Sequence, residues 1–172
     1  KLPEIMPCLR VRQNTPFGHL HVKISMEPRT GKEREVFAQL GKAGDLSNSD
    51  IEAICRMISL FLRCGGTLKM VIDQLSGIGS SLSMPTRDGR ILSIADGLAV
   101  ALKRYLDAKE KWGLEKLLLG EVDPSEIGGV SRLAKSHSAA EAEYKLKCPE
   151  CSAPLMTAEG CVKCPSCGYS RC

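Results

Sequence analysis

The sequence predicts an α+β fold: a β-hairpin packed with about three helices, then a flexible linker and a small cysteine-rich C-terminal module. Three observations predict it. Residues 19–40 alternate apolar and polar side chains. Residues 51–105 switch to helical spacing. Six cysteines crowd into residues 148–172.

Residues 1–16 hold Pro3, Pro7 and Pro16 and show no period, so residues 1–14 read as a connector. From His19 to Met26, Leu20, Val22, Ile24 and Met26 face one way and His19, His21, Lys23 and Ser25 the other, the pattern of a half-buried strand. Glu27-Pro28-Arg29-Thr30-Gly31 is a turn. Val36, Ala38 and Leu40 continue the alternation, which makes residues 19–40 a hairpin. Ser49 and Glu52 have capping-box spacing before a helix that turns Ile51, Ile54, Cys55, Ile58 and Leu62 to one side. Gly65-Gly66 stops it, and Thr67 caps a short second helix with Leu68, Val71, Ile72 and Leu75 inward. Residues 79–90 read as a polar loop. Ser93 and Asp96 cap a third helix whose inner face is Ile94, Leu98, Ala101, Leu102 and Tyr105. The compact domain therefore spans residues 15–106. Residues 107–147 are polar, contain Gly128-Gly129, and read as a linker that is flexible over residues 134–147.

An apolar fraction of 43% supports a core, and 4% aromatic residues make that core aliphatic. The formal charge of +4 permits a nucleic-acid partner without demanding one. The chain starts with Lys1 and reads as a piece of something longer. It has no signal-peptide pattern and no run of apolar residues long enough to span a membrane, so no membrane partner is expected. Cys-x-x-Cys pairs without a secretory signal favour a reducing cytoplasm and a metal over structural disulfides.

The chemistry is concentrated in residues 148–172. Cys148-Pro149-Glu150-Cys151 and Cys164-Pro165-Ser166-Cys167-Gly168 are two tight knuckles whose backbone N–H groups can face the sulfurs. A structural zinc takes four thiolates in a tetrahedron, which Cys148, Cys151, Cys164 and Cys167 supply. So short a segment buries too little surface to fold without the metal. Cys161 and Cys172 are then left over, each near a cation, Lys163 and Arg171, which favours the reactive thiolate. A second allotment puts Cys148, Cys151, Cys161 and Cys164 on zinc and leaves Cys167 and Cys172 as the free pair.

Other motifs carry less. Gly41-Lys42-Ala43-Gly44 lies between a strand and a helix but lacks the P-loop spacing, and reads as a tight turn. His19 and His21 read as solvated. Cys8, Cys55 and Cys64 have no ligand spacing, and Cys55 fits a core position. No nucleophile–base set is evident.

Thr15-Pro16-Phe17-Gly18, Val36 to Gly44, Arg56 to Leu60, Gln74 to Gly79, Ile91 to Leu102 and the tail Glu159 to Cys172 together resemble the C-terminal part of adenosylcobalamin (vitamin B12)-dependent ribonucleotide reductases, a TSCPD domain followed by a zinc-ribbon redox tail. Where that family's naming motif has Thr-Ser-Cys-Pro-Asp, this chain has Leu92-Ser93-Ile94-Ala95-Asp96, so only Ser93 and Asp96 remain and the motif cysteine has no counterpart. The resemblance implies a parent that reduces ribonucleotides to deoxyribonucleotides in an upstream catalytic barrel, which binds adenosylcobalamin and the nucleotide substrate outside this chain. It implies tail cysteines that re-reduce an active-site disulfide and are recharged by thioredoxin or glutaredoxin. Cys161 and Cys172 are the expected shuttle pair, and the fragment alone is expected to be inactive. The competing reading is a nonenzymatic zinc-ribbon module that binds nucleic acid or a protein partner.

Overall fold

The computed structural model describes residues 2–41, 46–86, 89–123, 126, 148, 150–153, 156–158 and 161–171, with backbone alone for residues 46, 156–158, 161, 162 and 171. It divides into two units, Lys1–Gly129 and Val130–Cys172. The expected linker segment 134–147 lies outside the described residues, as do Lys42, Ala43 and Gly44.

The first unit is α+β. Its sheet has three antiparallel strands in the order β1 (Cys8–Thr15), β2 (Gly18–Met26), β3 (Glu33–Leu40). The predicted hairpin is thus β2–β3, and the predicted connector is corrected: residues 8–15 form an edge strand. Only Leu9 and Val11 alternate there as apolar residues. The third inward position is Gln13, buried but polar, so hydropathy alone hides the strand. β1 pairs with β2 from Cys8 opposite Ser25 to Thr15 opposite Gly18. Leu20, Val22, Ile24, Val36 and Leu40 are buried on one face, with Leu9, Val11 and Ala38 packed against them. Arg10, Arg12, His19, Lys23, Phe37 and Gln39 alternate with these residues on the opposite, exposed face.

Helix α1 (Leu46–Arg63) starts four residues earlier than a capping box with Ser49 as N-cap predicts. Ser49 lies inside its first turn, and Glu52 pairs with Arg56 one turn on. α1 runs along β3, whose outer edge would otherwise expose unpaired amides. Asn48 Oδ1 accepts the Leu40 N–H at 2.8 Å. Ser59 Oγ accepts the Val36 N–H at 3.0 Å and donates to the Val36 carbonyl at 3.2 Å. Cys55, between them, receives a backbone hydrogen bond from Ala38. Side chains at 48, 55 and 59 therefore take the place of a fourth strand.

Burial pushes the Cys55 thiol up to about 12, although the Ala38 hydrogen bond favours its thiolate. Cys55 is 2% exposed, whereas Cys8 and Cys64 are on the surface. In native protein, iodoacetamide is expected to label Cys8 and Cys64 and spare Cys55, which should react only after unfolding. Peptide mapping by mass spectrometry reads this directly. Labelling of native Cys55 at the rate of Cys8 would contradict the packing described.

Helix α2 (Leu68–Leu75) is capped as predicted, Thr67 Oγ1 accepting the Met70 N–H at 3.3 Å. The expected polar loop contains a short hairpin, β4 (Met84–Thr86) with β5 (Gly89–Ile91). Helix α3 (Ile94–Trp112) crosses the core face and packs on β1, β2 and α2 through Leu98, Ala101, Leu102 and Tyr105. Gly97 lets it approach β1, because a Cβ there would lie 2.7 Å from Thr15 Cγ2. At the far end Glu33 accepts hydrogen bonds from Tyr105 Oη at 2.9 Å and Lys109 Nζ at 2.7 Å. Burial opposes the charge on Glu33, but the Lys109, backbone and Tyr105 hydrogen bonds outweigh it and hold the carboxyl below its usual range.

The predicted linker boundary at residue 107 is also corrected. α3 continues to Trp112, Gly113 turns the chain, and α4 (Leu114–Leu119) follows, with Leu114 packed on the core and Val122 buried. Among the described residues no helix is long and apolar enough to cross a membrane.

In the second unit three short antiparallel strands, β6 (Met156–Ala158), β7 (Cys161–Lys163) and β8 (Ser170–Arg171), pair in that order.

Candidate metal centre

The two Cys-Pro-x-Cys segments fold alike. In the first, Ser152 N–H donates to the Cys148 carbonyl at 2.8 Å and Cys148 N–H donates to the Ala153 carbonyl at 2.8 Å. In the second, Gly168 N–H donates to the Cys164 carbonyl at 3.0 Å and Cys164 N–H to the Tyr169 carbonyl at 2.7 Å. The residue four beyond the leading cysteine is left-handed in both, with φ of 58° at Ser152 and 79° at Gly168. Ser152 is the only non-glycine residue of that kind among the described residues, and it holds the conformation that glycine supplies freely in the second knuckle.

These turns bring four sulfurs together. Sγ of Cys148 lies 3.5 Å from Sγ of Cys167, and Sγ of Cys151 lies 3.5 Å from Sγ of Cys164. All four lie within 4.8 Å of one another. A regular tetrahedron of sulfurs at the usual zinc–sulfur bond length has edges of about 3.8 Å. The leading cysteines, 148 and 164, are buried and the trailing ones, 151 and 167, are exposed. This four-cysteine group could hold a metal such as zinc.

Without a metal, Cys151, Cys164 and Cys167 do not ionise alike. Burial opposes a charge on Cys164, but the N–H groups of Cys167 and Ser166 and the thiols of Cys151 and Cys167 outweigh it and hold Cys164 down to about 7. The Tyr169 N–H favours a thiolate at Cys167, yet the neighbouring sulfurs push that thiol up to about 12. Cys151 is raised as well, against the pull of the Ala153 N–H, chiefly by Cys164. Cys164 thus supplies thiolate near neutral pH, and a cation is what releases the protons of Cys151 and Cys167.

Of the remaining predicted site residues, Cys161 is the first residue of β7, its backbone paired with Ala158, and its side chain lies outside the described residues. Cys172 lies outside them altogether. Cys167, the alternative shuttle partner, belongs to the gathered four.

In the first unit, the Ser93–Asp96 pair does more than cap a helix. Ser93 Oγ accepts the Asp96 N–H at 3.1 Å, as the sequence predicts. The Asp96 carboxylate, 7% exposed, then accepts the Gly77 N–H at 2.8 Å and the Leu92 N–H at 2.9 Å, one oxygen for each. It ties the end of α2 to the strand that precedes α3. Ile94, where the family motif has cysteine, is half-buried against the core.

A model of the TSCPD domain matches residues 7–106. The chain belongs to the TSCPD domain family. The matched stretch begins next to β1 and ends inside α3 at Leu106, so the TSCPD domain takes in the edge strand that hydropathy hides. No curated protein and no solved structure matches the chain.

An apolar groove of about 700 Å³ between α1 and α2 of the TSCPD domain, with Met57, Phe61 and Met70 on its walls, gathers no polar set for catalysis. A second groove of about 390 Å³ lies between α1 and the polar face of the sheet. There the expectation that His21 is solvated is corrected: the residue is half-buried, and its Nδ1 is buried without a hydrogen-bond partner. Burial, then Arg10, His19, Arg12 and Lys23, hold His21 below its usual range, so it is neutral at pH 7.

Proposed function

We propose that this chain is the C-terminal part of an adenosylcobalamin-dependent ribonucleotide reductase and that its tail is a zinc-held electron shuttle. One observation carries the reading: a TSCPD domain and a gathered set of four cysteines stand in one chain that has two further cysteines, Cys161 and Cys172, in the same tail. Zinc sits on Cys148, Cys151, Cys164 and Cys167. That allotment leaves Cys161 and Cys172 as the exchanging pair, and the gathering of Cys167 with the other three sulfurs favours it over a Cys167–Cys172 pair.

In this reading the parent's barrel, outside this chain, binds adenosylcobalamin and the ribonucleotide. Each turnover leaves a disulfide in that barrel. One tail thiolate attacks it to form a mixed disulfide, and the second tail thiolate attacks the mixed disulfide. Two electrons pass inward, the two barrel sulfurs leave as thiols with two protons, and Cys161 and Cys172 end as a disulfide. The dithiol of thioredoxin or glutaredoxin reverses that oxidation in the reducing cytoplasm. The fragment alone turns over no nucleotide.

The test is replacement of Cys161 or Cys172 by Ser in the full enzyme. Thioredoxin-driven turnover should fall to background while dithiothreitol-driven turnover is retained, because the small thiol reaches the barrel disulfide without the tail. Turnover unchanged with both reductants would refute the shuttle.

A further inference from the structure

The polar face of the TSCPD sheet carries cations where a folded protein gains nothing from them. On β1 and β2, Arg10 stands opposite Lys23, while Arg12, next on the same face, stands opposite the neutral His21. Like charges directly across an antiparallel pair destabilise a sheet. Arg10, Arg12 and Lys23 are exposed, and among the described residues none of them has an ion-pair partner. The nearby acids are already neutralised: Glu35 pairs with Arg63, and Glu52 with Arg56.

The cations form an array, not a cup. Residues two apart on one face of a strand lie about 6.6 Å apart, so Arg10 and Arg12 make a row, with Lys23 beside it on β2. A small anion needs cations that converge on one point. A row fits a chain of regularly spaced negative charges. Next to it, Phe37, 52% exposed, lies opposite Lys23 on β3, and Gln39 lies opposite His21. Phe37, Gln39 and His21 line the 390 Å³ groove. An aromatic wall and an exposed amide are what a nucleobase can stack on and hydrogen-bond to. An acidic peptide would use the cations and leave these groups idle. A duplex would present phosphates but keep its bases away from Phe37.

We propose that the open face of this sheet binds single-stranded nucleic acid, its phosphates on Arg10, Arg12 and Lys23 and a base in the groove beside Phe37. The proposal rests on the first unit and is independent of the tail chemistry proposed above.

The full 172-residue chain should be titrated with a fluorescein-labelled 20-mer of thymidylate, read by fluorescence anisotropy across a salt series. Saturable binding that weakens with salt is expected. Arg10→Ser with Arg12→Ser should weaken it at least tenfold and make the log–log salt slope shallower by about 1.4, about 0.7 for each phosphate left without its arginine. Phe37→Ala should weaken it about tenfold with the slope unchanged, the signature of missing base stacking. Lys23→Ser gives a smaller loss from the neighbouring strand and serves if the double variant misfolds, as far-ultraviolet circular dichroism would reveal. Cys148→Ser with Cys151→Ser should leave binding intact. The proposal is overturned by no saturable binding, by equal competition from poly-glutamate or a 20-base-pair duplex, or by loss in the tail variant while the sheet variants bind normally.

Discussion

Replacing Cys164 by Ser is expected to abolish stoichiometric zinc binding by this chain. Cys164 is the buried leading residue of its knuckle, and its thiol ionises near 7 in the metal-free tail, well before those of Cys151 and Cys167. It is the natural first ligand. A serine hydroxyl stays protonated at neutral pH and is a poor zinc donor. Loss of a supporting hydrogen bond around a zinc site already costs ~10–100-fold in affinity, so loss of a thiolate should cost more than roughly a hundredfold. Elemental analysis after gel filtration should find one zinc per wild-type chain and none per variant chain. Acidification should also strip the wild-type site, because each ligand must stay deprotonated. Zinc retained by Cys164→Ser at one per chain would mean that the four sulfurs are gathered for some other reason.

Asp96→Ala is expected to cost the first unit about 2–6 kcal/mol. The carboxylate is buried and each oxygen accepts a different backbone amide, those of Gly77 and Leu92. Alanine leaves both amides unpaired at ~1–3 kcal/mol each. Against a typical domain stability of about 5–15 kcal/mol, that is a large share. Ser93→Ala removes only the helix cap and should cost about 0.5–2 kcal/mol. Urea unfolding followed at 222 nm measures both. An Asp96→Ala midpoint within error of wild type would show that water replaces the carboxylate and that the bridge between α2 and α3 is not needed.

Asp96 also marks the limit of local reading. The spacing of Ser93 and Asp96 announces a helix start, and α3 begins there. Nothing local announces that the same carboxylate reaches Gly77, nineteen residues earlier. The edge of β3 is no more legible. Asn48 and Ser59 look like ordinary polar helix residues, yet they hydrogen-bond to the Leu40 and Val36 backbone in place of a strand. His21 alternates correctly as a polar strand residue, but its burial comes from α1, which forms the other wall of its groove.

By itself the sequence determined the apolar faces of β2, β3, α1, α2 and α3, because backbone period dictates which side chains share a side. It also determined the two knuckles, because a Cys-Pro-x-Cys turn is closed by residues within six positions of one another. Tertiary structure alone decided the rest: that residues 8–15 are an edge strand, that the chain past residue 107 stays helical as far as Leu119, and that Arg10 and Arg12 join Lys23 on one exposed sheet face. Those outcomes depend on partners distant in the chain. A strand with two apolar residues forms only because β2 offers it hydrogen bonds, and a helix as short as α4 holds only because Leu114 finds a core to pack on.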